Sequence, residues 1–237
     1  MIPARKRVAI FGDSHYACLR LAQGLVDLSA FDVEYWGHVG KRFRLLEFRD
    51  GAIHAQDELT AQRFAKFNEK GRTFLPVADF DDIIFIGCRI DIARVFMGMV
   101  NAYMQGSYLS LGLRHAIVRN RLQGFAAYGM AAQMAALGQA RIWLHPITMF
   151  GQGTDEYDSL ITPAMRAATP AARDAVWQAF ATVTAQDGIG LLRQLDHTYA
   201  DGVYTDAAFL VDGYLETNDY THRTAAYGAL VWGQIMA

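Results

Sequence analysis

The stretch RVAIFGDSHYACLRLAQGL, residues 7–25, decides the fold because it passes from an apolar run to a helical pattern through one tight turn. The four apolar residues Val8–Phe11 end at Gly12, which is typical of a strand covered on both faces. Apolar residues then recur at helical spacing and predict a helix from Tyr16 to Leu28. The apolar residues that follow this spacing are Ala17, Leu21, Leu25 and Leu28. The turn between strand and helix is Gly12-Asp13-Ser14-His15.

The alternation of strands and helices continues along the chain. Further strands are predicted at Val33–Trp36, Ile83–Ile86, 140–148 and 188–195, with a small hairpin around Asp50-Gly51. Helices are predicted at Ile92–Leu137 with breaks near Gly106 and Gly112, at Pro163–Thr184 with Pro170 as a kink or a new start, and at 221–236. This alternation favours an α/β fold: one domain, residues 1–237, with three α/β/α layers and a mainly parallel sheet.

Composition excludes several classes of protein. Of the 237 residues, 52% are hydrophobic and 19% are charged, which indicates a globular rather than a disordered chain. A net charge of -2 lacks the excess of positive charge that is typical of nucleic-acid-binding proteins. The run 124–140 is too short and too rich in Ala and Gly to span a bilayer, and the first apolar run is too short for a signal peptide. Cys18 and Cys88 lie in apolar settings, as in a reducing compartment, so a cytoplasmic location is predicted.

Ser14 lies at the junction of strand and helix, where two roles are open. In a parallel sheet, ligands bind where the carboxyl ends of the strands meet, so this turn is a candidate active site. Either Ser14 or Asp13 can cap the helix by accepting from a backbone N–H group. Alternatively, Ser14 is a nucleophile, which requires a base to activate it and a third group to orient that base. Asp219 and His222, three residues apart, provide such a pair near the last helix, where a helical turn would place them on one face.

Two motifs resemble a known family. FGDSHYACLRLA (11–22) and NDYTHRTAAYG (218–228) resemble the first and last blocks of the SGNH/GDSL hydrolases, in the same order. The resemblance implies a flavodoxin-like α/β/α fold, with Ser14 as nucleophile, His222 as general base and acid, and Asp219 as the group that orients His222. It implies a serine-dependent ester hydrolase or acyl transferase acting on a small acyl ester, with carbohydrate esters among the candidate substrates.

The resemblance also implies an oxyanion hole with three donors. These are the N–H of Ser14, the N–H of a glycine after the second strand, and an asparagine side chain after the third. Gly40 is the candidate glycine, with Gly37 as the alternative. Arg89 in GCRID (87–91) stands where the family has asparagine.

Four interpretations of Arg89 are open. Its guanidinium reaches the oxyanion, it binds a substrate carboxylate, it pairs with Asp91, or the hole is incomplete. The last would make the chain a catalytically impaired binding or regulatory protein, the alternative to an enzyme.

The remaining candidates are weaker. Asp13, His15, Gly37 and Tyr157 are candidates for substrate contact, Tyr157 within a predicted mobile loop at 150–159 that packing against the core would also explain. No cofactor is expected, because the glycines at 151 and 153 do not follow a dinucleotide fingerprint. No metal is expected, because the remaining histidines lack ligand spacing. Oligomeric state is left open.

Overall fold

A computed structural model describes residues 4–38, 40–153 and 155–237. The described strands are β1 (Lys6–Gly12), β2 (Phe31–Gly37), β3 (Leu46–Arg49), β4 (Ala52–Ala55), β5 (Phe74–Pro76), β6 (Asp82–Asp91), β7 (Arg141–Ile147), β8 (Ile189–Leu191), β9 (Tyr199–Ala200) and β10 (Tyr204–Thr205). The described α-helices are α1 (Ala17–Leu21), α2 (Glu58–Phe67), α3 (Ala93–Met104), α4 (Leu111–Gln123), α5 (Ala126–Leu137), α6 (Asp155–Asp158), α7 (Pro163–Arg166), α8 (Pro170–Gln186), α9 (Tyr214–Thr217) and α10 (Ala225–Met236).

Five strands form the central sheet in the order β2-β1-β6-β7-β8, and every neighbouring pair is parallel. The predicted α/β fold with a mainly parallel sheet is therefore confirmed. β1 lies inside the sheet, so the turn that follows it is flanked by the ends of β2 and β6. This order brings the loops after the first three of these strands to one edge.

Both faces of the sheet are buried. In β1, Ala9 and Phe11 belong to one apolar cluster, whereas Val8 and Ile10 belong to another. Residues of β6 alternate between the same two clusters, because successive side chains of a strand point to opposite faces. Continuous apolar runs such as Ile83–Ile86 are explained by this double coverage.

Three glycines allow the strand ends to approach closely. Gly12 pairs with Gly37 of β2, and a Cβ on Gly37 would lie 1.7 Å from the Gly12 carbonyl oxygen. Gly37 also has φ +145, a conformation that side chains rarely adopt. Within β6, a Cβ on Gly87 would lie 2.7 Å from both Asp13 Oδ1 and His15 Cβ. The turn therefore fits against its neighbours only because these positions carry no side chain.

The helix predicted from Tyr16 to Leu28 is wrong in length and in its buried face. The chain forms a 3-10 turn at Ser14–Tyr16, α1, and a second 3-10 turn at Ala22–Leu25. Leu21 and Leu25 are 66% and 62% exposed, whereas Cys18 and Leu19 are buried. The tighter 3-10 geometry has 3.0 residues per turn. A buried face that is assigned with 3.6 residues per turn therefore does not match the residues that are buried.

α10 packs closely on α1. A Cβ on Gly228 would lie 2.1 Å from the Cys18 carbonyl oxygen, and Trp232 Nε1 donates to the Leu19 carbonyl at 2.9 Å. The last helix is thereby fixed against the segment that follows the first turn.

Two further boundaries differ from the sequence prediction. Gly112 lies inside α4, and the second break falls at Gly124 instead. Pro170 starts a new helix, α8, with Thr169 capping it by accepting from Ala172 N–H at 3.2 Å. The hairpin at Asp50-Gly51 is confirmed as β3 and β4, but it forms a three-stranded sheet with β5 that was not predicted.

Two observations concern membrane-spanning helices and the state of the cysteines. Within the described residues, no helix is long and apolar enough to cross a bilayer. Cys18 and Cys88 are buried free thiols, and burial raises the pKa of Cys18 to about 12.

The close approach of the strand ends leads to a test of stability. Gly37→Ala is expected to lower the free energy of unfolding by about 3 kcal/mol, since the methyl group collides with a backbone oxygen and the backbone must leave its φ. Gly98→Ala, in the interior of α3 with open space around it, is expected to raise that free energy by about 0.5–1 kcal/mol. Urea denaturation checks both, and equal effects of the two substitutions would contradict the packing explanation.

Candidate active site

The turn after β1 separates the two roles that the sequence left open for Ser14. Asp13 occupies the cap position, where its carboxylate accepts from His15 N–H at 3.2 Å. Ser14 is the first residue of the 3-10 turn, and its hydroxyl is directed to a different partner. The capping requirement is thus met by Asp13.

Ser14 and His222 are in hydrogen-bond contact although they lie 208 positions apart. Ser14 Oγ is 2.7 Å from His222 Nε2. On the other side of the ring, His222 Nδ1 lies 2.7 Å from Asp219 Oδ1 and 2.8 Å from Oδ2. Because a carboxylate only accepts, Nδ1 carries the proton, which leaves Nε2 to accept from the Ser14 hydroxyl. A serine, an imidazole and a carboxylate therefore form one continuous hydrogen-bonded chain.

The Asp219–His222 pair is set by a turn rather than by a helix. Both residues lie in the segment between α9 and α10, so the expected helical turn is wrong. Instead, His222 N–H donates to Asp219 Oδ1 at 3.1 Å, which folds the segment so that the ring reaches the same carboxylate. Partial burial raises the pKa of Asp219, but the hydrogen bonds from His222 outweigh it and hold the pKa below its usual value.

Arg223 anchors this turn, and the sequence analysis missed it. It is 6% exposed and donates to the backbone oxygens of Tyr220 at 3.3 Å and His222 at 3.2 Å. Its other N–H groups reach Thr148 Oγ1 at 3.0 Å and the Met149 carbonyl, just past the end of β7. The only available signal was an arginine directly after the candidate histidine, and such a residue looks solvated in a sequence.

His15 packs against the ring of His222. The two ring centroids are 5.0 Å apart with an interplanar angle of 24°. His15 Nδ1 donates to Asp13 Oδ1 at 2.6 Å, so a second aspartate–histidine pair lies beside the first. Gly87 leaves the room that the His15 ring needs.

Asp13 connects this turn to a corner within β6, at residues 87–89, where the pairing with β7 is interrupted. Its Oδ2 accepts from Arg89 N–H at 3.0 Å, while Oδ1 accepts from His15. Burial raises the pKa of Asp13, but the hydrogen bonds and charge of His15 and the N–H of Arg89 bring it below its usual value. Asp13 is therefore a buried anion held by protein donors, and substrate contact by Asp13 or His15 stays a prediction.

The predicted oxyanion residues lie around the same edge. Ser14 N–H is at the first position of its 3-10 turn, where an N–H group has no partner within the turn. Gly40 is exposed, has φ +67 and starts the 3-10 segment Gly40–Leu45; the preceding Val39 lies outside the described residues. Gly37 is buried, and its close packing on Gly12 explains why this position carries a glycine. The oxyanion roles of Gly40 and Gly37 stay predictions.

Arg89 presents its backbone and its side chain to different neighbours. Its N–H holds Asp13, whereas its guanidinium forms no ion pair with Asp91 or any other described acid. Asp91 instead accepts from Ala93 N–H at 2.9 Å at the start of α3. The interpretation in which the Arg89 guanidinium pairs with Asp91 is therefore wrong.

The segment 150–159 contains packed aromatic rings. Tyr157 stacks on Phe150 with ring centroids 3.6 Å apart, and Phe150 and Met149 are buried. Thr154 in this segment lies outside the described residues. Mobility of the loop and substrate contact by Tyr157 stay predictions. Among the described residues, no group of three His, Cys, Asp or Glu side chains is arranged to hold a metal ion.

A scan against models of protein families and a search among curated proteins found no match to this chain. The resemblance of the two motifs to the SGNH/GDSL hydrolases therefore stays a prediction.

The charge on Asp13 leads to a pH-dependent prediction. Because the folded pKa is lowered, the carboxylate stabilises the fold above the unfolded value of 3.8, and this stability is lost as pH falls through the folded pKa. Asp13→Asn is expected to cost about 1–3 kcal/mol at neutral pH, because an amide cannot accept on both sides. The difference from the parent protein should shrink as pH falls below 3.8 toward the folded pKa.

Urea denaturation at several pH values measures this difference. Asp212→Asn, which removes an exposed carboxylate, is the matched control and should track the parent protein. A penalty for Asp13→Asn that stays constant with pH would show that the ionised carboxylate does not hold the turn.

Proposed function

We propose that the chain is a serine-dependent ester hydrolase or acyl transferase of the SGNH/GDSL type, with Ser14, His222 and Asp219 as its catalytic residues. One observation carries the proposal: the chain of hydrogen bonds from Ser14 Oγ to His222 Nε2 at 2.7 Å and from His222 Nδ1 to Asp219 at 2.7 Å. Nucleophile, base and orienting group are recognised by this mutual geometry rather than by their order in a sequence.

The first half of the reaction forms an acyl-enzyme. Ser14 Oγ attacks the ester carbonyl carbon while His222 Nε2 takes the hydroxyl proton, and Asp219 stabilises the imidazolium that results. When the tetrahedral intermediate collapses, the bond to the leaving alcohol breaks and Nε2 returns the proton to its oxygen. The acyl group is then bonded to Ser14.

The second half releases the acyl group. Water, or an alcohol such as a sugar hydroxyl, loses a proton to His222 Nε2 and attacks the acyl carbon. Ser14 leaves with that proton restored to it. The three catalytic groups act identically on water and on an alcohol, so the proposal covers both hydrolysis and transfer.

Charge on the carbonyl oxygen requires donors at the strand ends. The N–H groups of Ser14 and Gly40 are the donors in this proposal, each aimed at an oxyanion being worth about 3–4 kcal/mol in such sites. An Arg89 guanidinium as the third donor stays a prediction.

Two further expectations belong to the proposal. The buried clusters on both faces of the sheet support a three-layer, flavodoxin-like arrangement. The two free thiols support a reducing, cytoplasmic location.

Chemical labelling and ester hydrolysis test the catalytic residues. The parent protein is expected to react with a fluorophosphonate probe and to hydrolyse p-nitrophenyl acetate. Ser14→Ala and His222→Ala should each lower kcat by about 10⁴–10⁶-fold, and Asp219→Asn by about 10⁴-fold through loss of the correct tautomer. Ser29→Ala, an exposed serine, should behave like the parent. Full activity in Ser14→Ala would rule out Ser14 as the nucleophile.

Arg223 should act as a positioning residue. Arg223→Lys keeps a positive charge but loses the fork that reaches both the His222 turn and the end of β7, so kcat should fall at least about tenfold while KM changes little. Arg173→Lys is the matched control, because Arg173 is also buried and also bonds carbonyl oxygens, at Ala168 and Gly202. Equal losses of kcat in the two folded variants would assign Arg223 to stability alone.

A further inference from the structure

A pocket of about 380 Å³ lies beside the strand ends that carry the candidate active site. Its apolar wall comes from the segment after β2 and from α5, and two arginines reach it from different segments. The residues that matter here are Phe43, Arg44, Leu46, Arg89, Phe125 and Met130. Among the residues that the structure describes, no acidic side chain lines this pocket. Its walls therefore combine apolar surface with positive charge alone.

Neither guanidinium in the pocket has a partner among the described side chains and backbone groups. Within the described part of the chain, neither Arg44 nor Arg89 forms a side-chain hydrogen bond or an ion pair, and Arg89 Nε is buried. By contrast, the nearby Arg42 pairs with Asp57 at 3.1 Å. A buried N–H group without an acceptor costs free energy. A ligand with an anionic group would provide the missing acceptor.

The backbone that carries Arg89 is held in an unusual conformation. Gly87, Cys88 and Arg89 have φ values of +66, +50 and +56, and the pairing of β6 with β7 is interrupted at this point. Left-handed conformation costs about 1–2 kcal/mol for a residue with a side chain. Cys88 Sγ donates to the Phe11 carbonyl at 3.3 Å and Arg89 N–H to Asp13, which hold the corner in place. Strain retained in this way is typical of a functional position.

The pocket is adjacent to Ser14 without including it. The corner at Arg89 is hydrogen-bonded to Asp13, the residue before Ser14. Phe43, which also lines the pocket, packs on Phe11 of β1 with ring centroids 5.5 Å apart. A group bound in the pocket would thus be part of a substrate whose ester lies at Ser14, several bonds away.

The first turn of α5 adds to the positive character of the pocket. Phe125, at the start of this helix, provides no side-chain cap. The N–H groups of a first helical turn carry partial positive charge and lack intrahelical acceptors. This contribution has the same sign as the two guanidiniums.

We propose that this pocket selects esters that carry an anionic group, such as a carboxylate or sulfonate, on a short apolar segment. Arg44 and Arg89 bind the anion, and Phe43, Leu46, Phe125 and Met130 contact the apolar segment. The proposal rests on the proposed function for the reaction at Ser14, but the binding of the anion does not depend on turnover.

Matched pairs of esters test the selection. Monomethyl adipate is compared with methyl hexanoate for an anion on the acyl side, and 4-acetoxybenzenesulfonate with phenyl acetate for an anion on the alcohol side. In at least one pair, kcat/KM should favour the anionic ester by about tenfold or more. That ratio should fall about tenfold in Arg44→Gln and in Arg89→Gln, and should not change in Arg63→Gln, an exposed arginine of α2 outside the pocket. A ratio near one in both pairs, or one that both pocket variants retain, overturns the proposal.

Binding of adipate separates this inference from the enzyme assignment. Adipate at about 100 times its Kd should raise the Tm of the parent by about 5 °C or more, and much less in Arg44→Gln. Arg44 is exposed, so this variant remains informative even if Arg89→Gln fails to fold. If no ester is turned over but this shift is seen, the proposed function fails and the anion pocket stands. If esters are hydrolysed but adipate gives the same shift in Arg44→Gln, or none in the parent, the anion pocket fails and the enzyme assignment stands.

Discussion

The carboxylate of Asp13 is buried and accepts hydrogen bonds from His15 and from the backbone of Arg89. It joins the turn after β1 to the corner at residues 87–89 within β6, two segments that are far apart in the chain and adjacent at one edge of the sheet. A buried anion must find donors, because leaving it unpaired costs several kcal/mol. The fit also requires Gly87, since any side chain there would meet both Asp13 and His15. One electrostatic requirement and one steric requirement together fix the environment of Ser14.

The other side of the candidate site is held differently. His222 lies in an irregular segment, where no ladder of backbone hydrogen bonds defines its position. Besides an isolated β-bridge with Leu210, Arg223 connects this segment to the end of β7 by donating to the backbone oxygens of Tyr220, His222 and Met149. Its burial carries a cost, and desolvation lowers the pKa of the guanidinium to about 10. The rigid sheet positions the proposed nucleophile, whereas a buried cation positions the proposed base.

The sequence allowed the five strands of the central sheet and the three proposed catalytic residues to be predicted, because both depend on local pattern. Four consecutive apolar residues in β1 and in β6 are explained by double coverage, and Ser14, His222 and Asp219 occur in recognisable motifs. The buried face of the first helix was not predictable, since the 3-10 turns that expose Leu21 and Leu25 arise from packing against α10. The role of Arg223 depends on oxygens near Thr148 and Tyr220, and only the tertiary structure brings these together. For Arg89, the sequence predicted a position after the apolar run of β6. The direction of its side chain was not predictable, because it depends on the left-handed backbone at this residue.

The distance of 208 positions between Ser14 and His222 has a consequence for the order in which the protein matures. During synthesis the sheet strands and Ser14 leave the ribosome long before α10, and until that helix docks on α1 through Gly228 and Trp232 the serine has no base beside it. A nascent or truncated chain would carry a hydroxyl of ordinary reactivity. Under the proposed function, chemical competence would therefore wait for synthesis of residues 219–222 and docking of α10, and a chain that lacks them could not consume substrate.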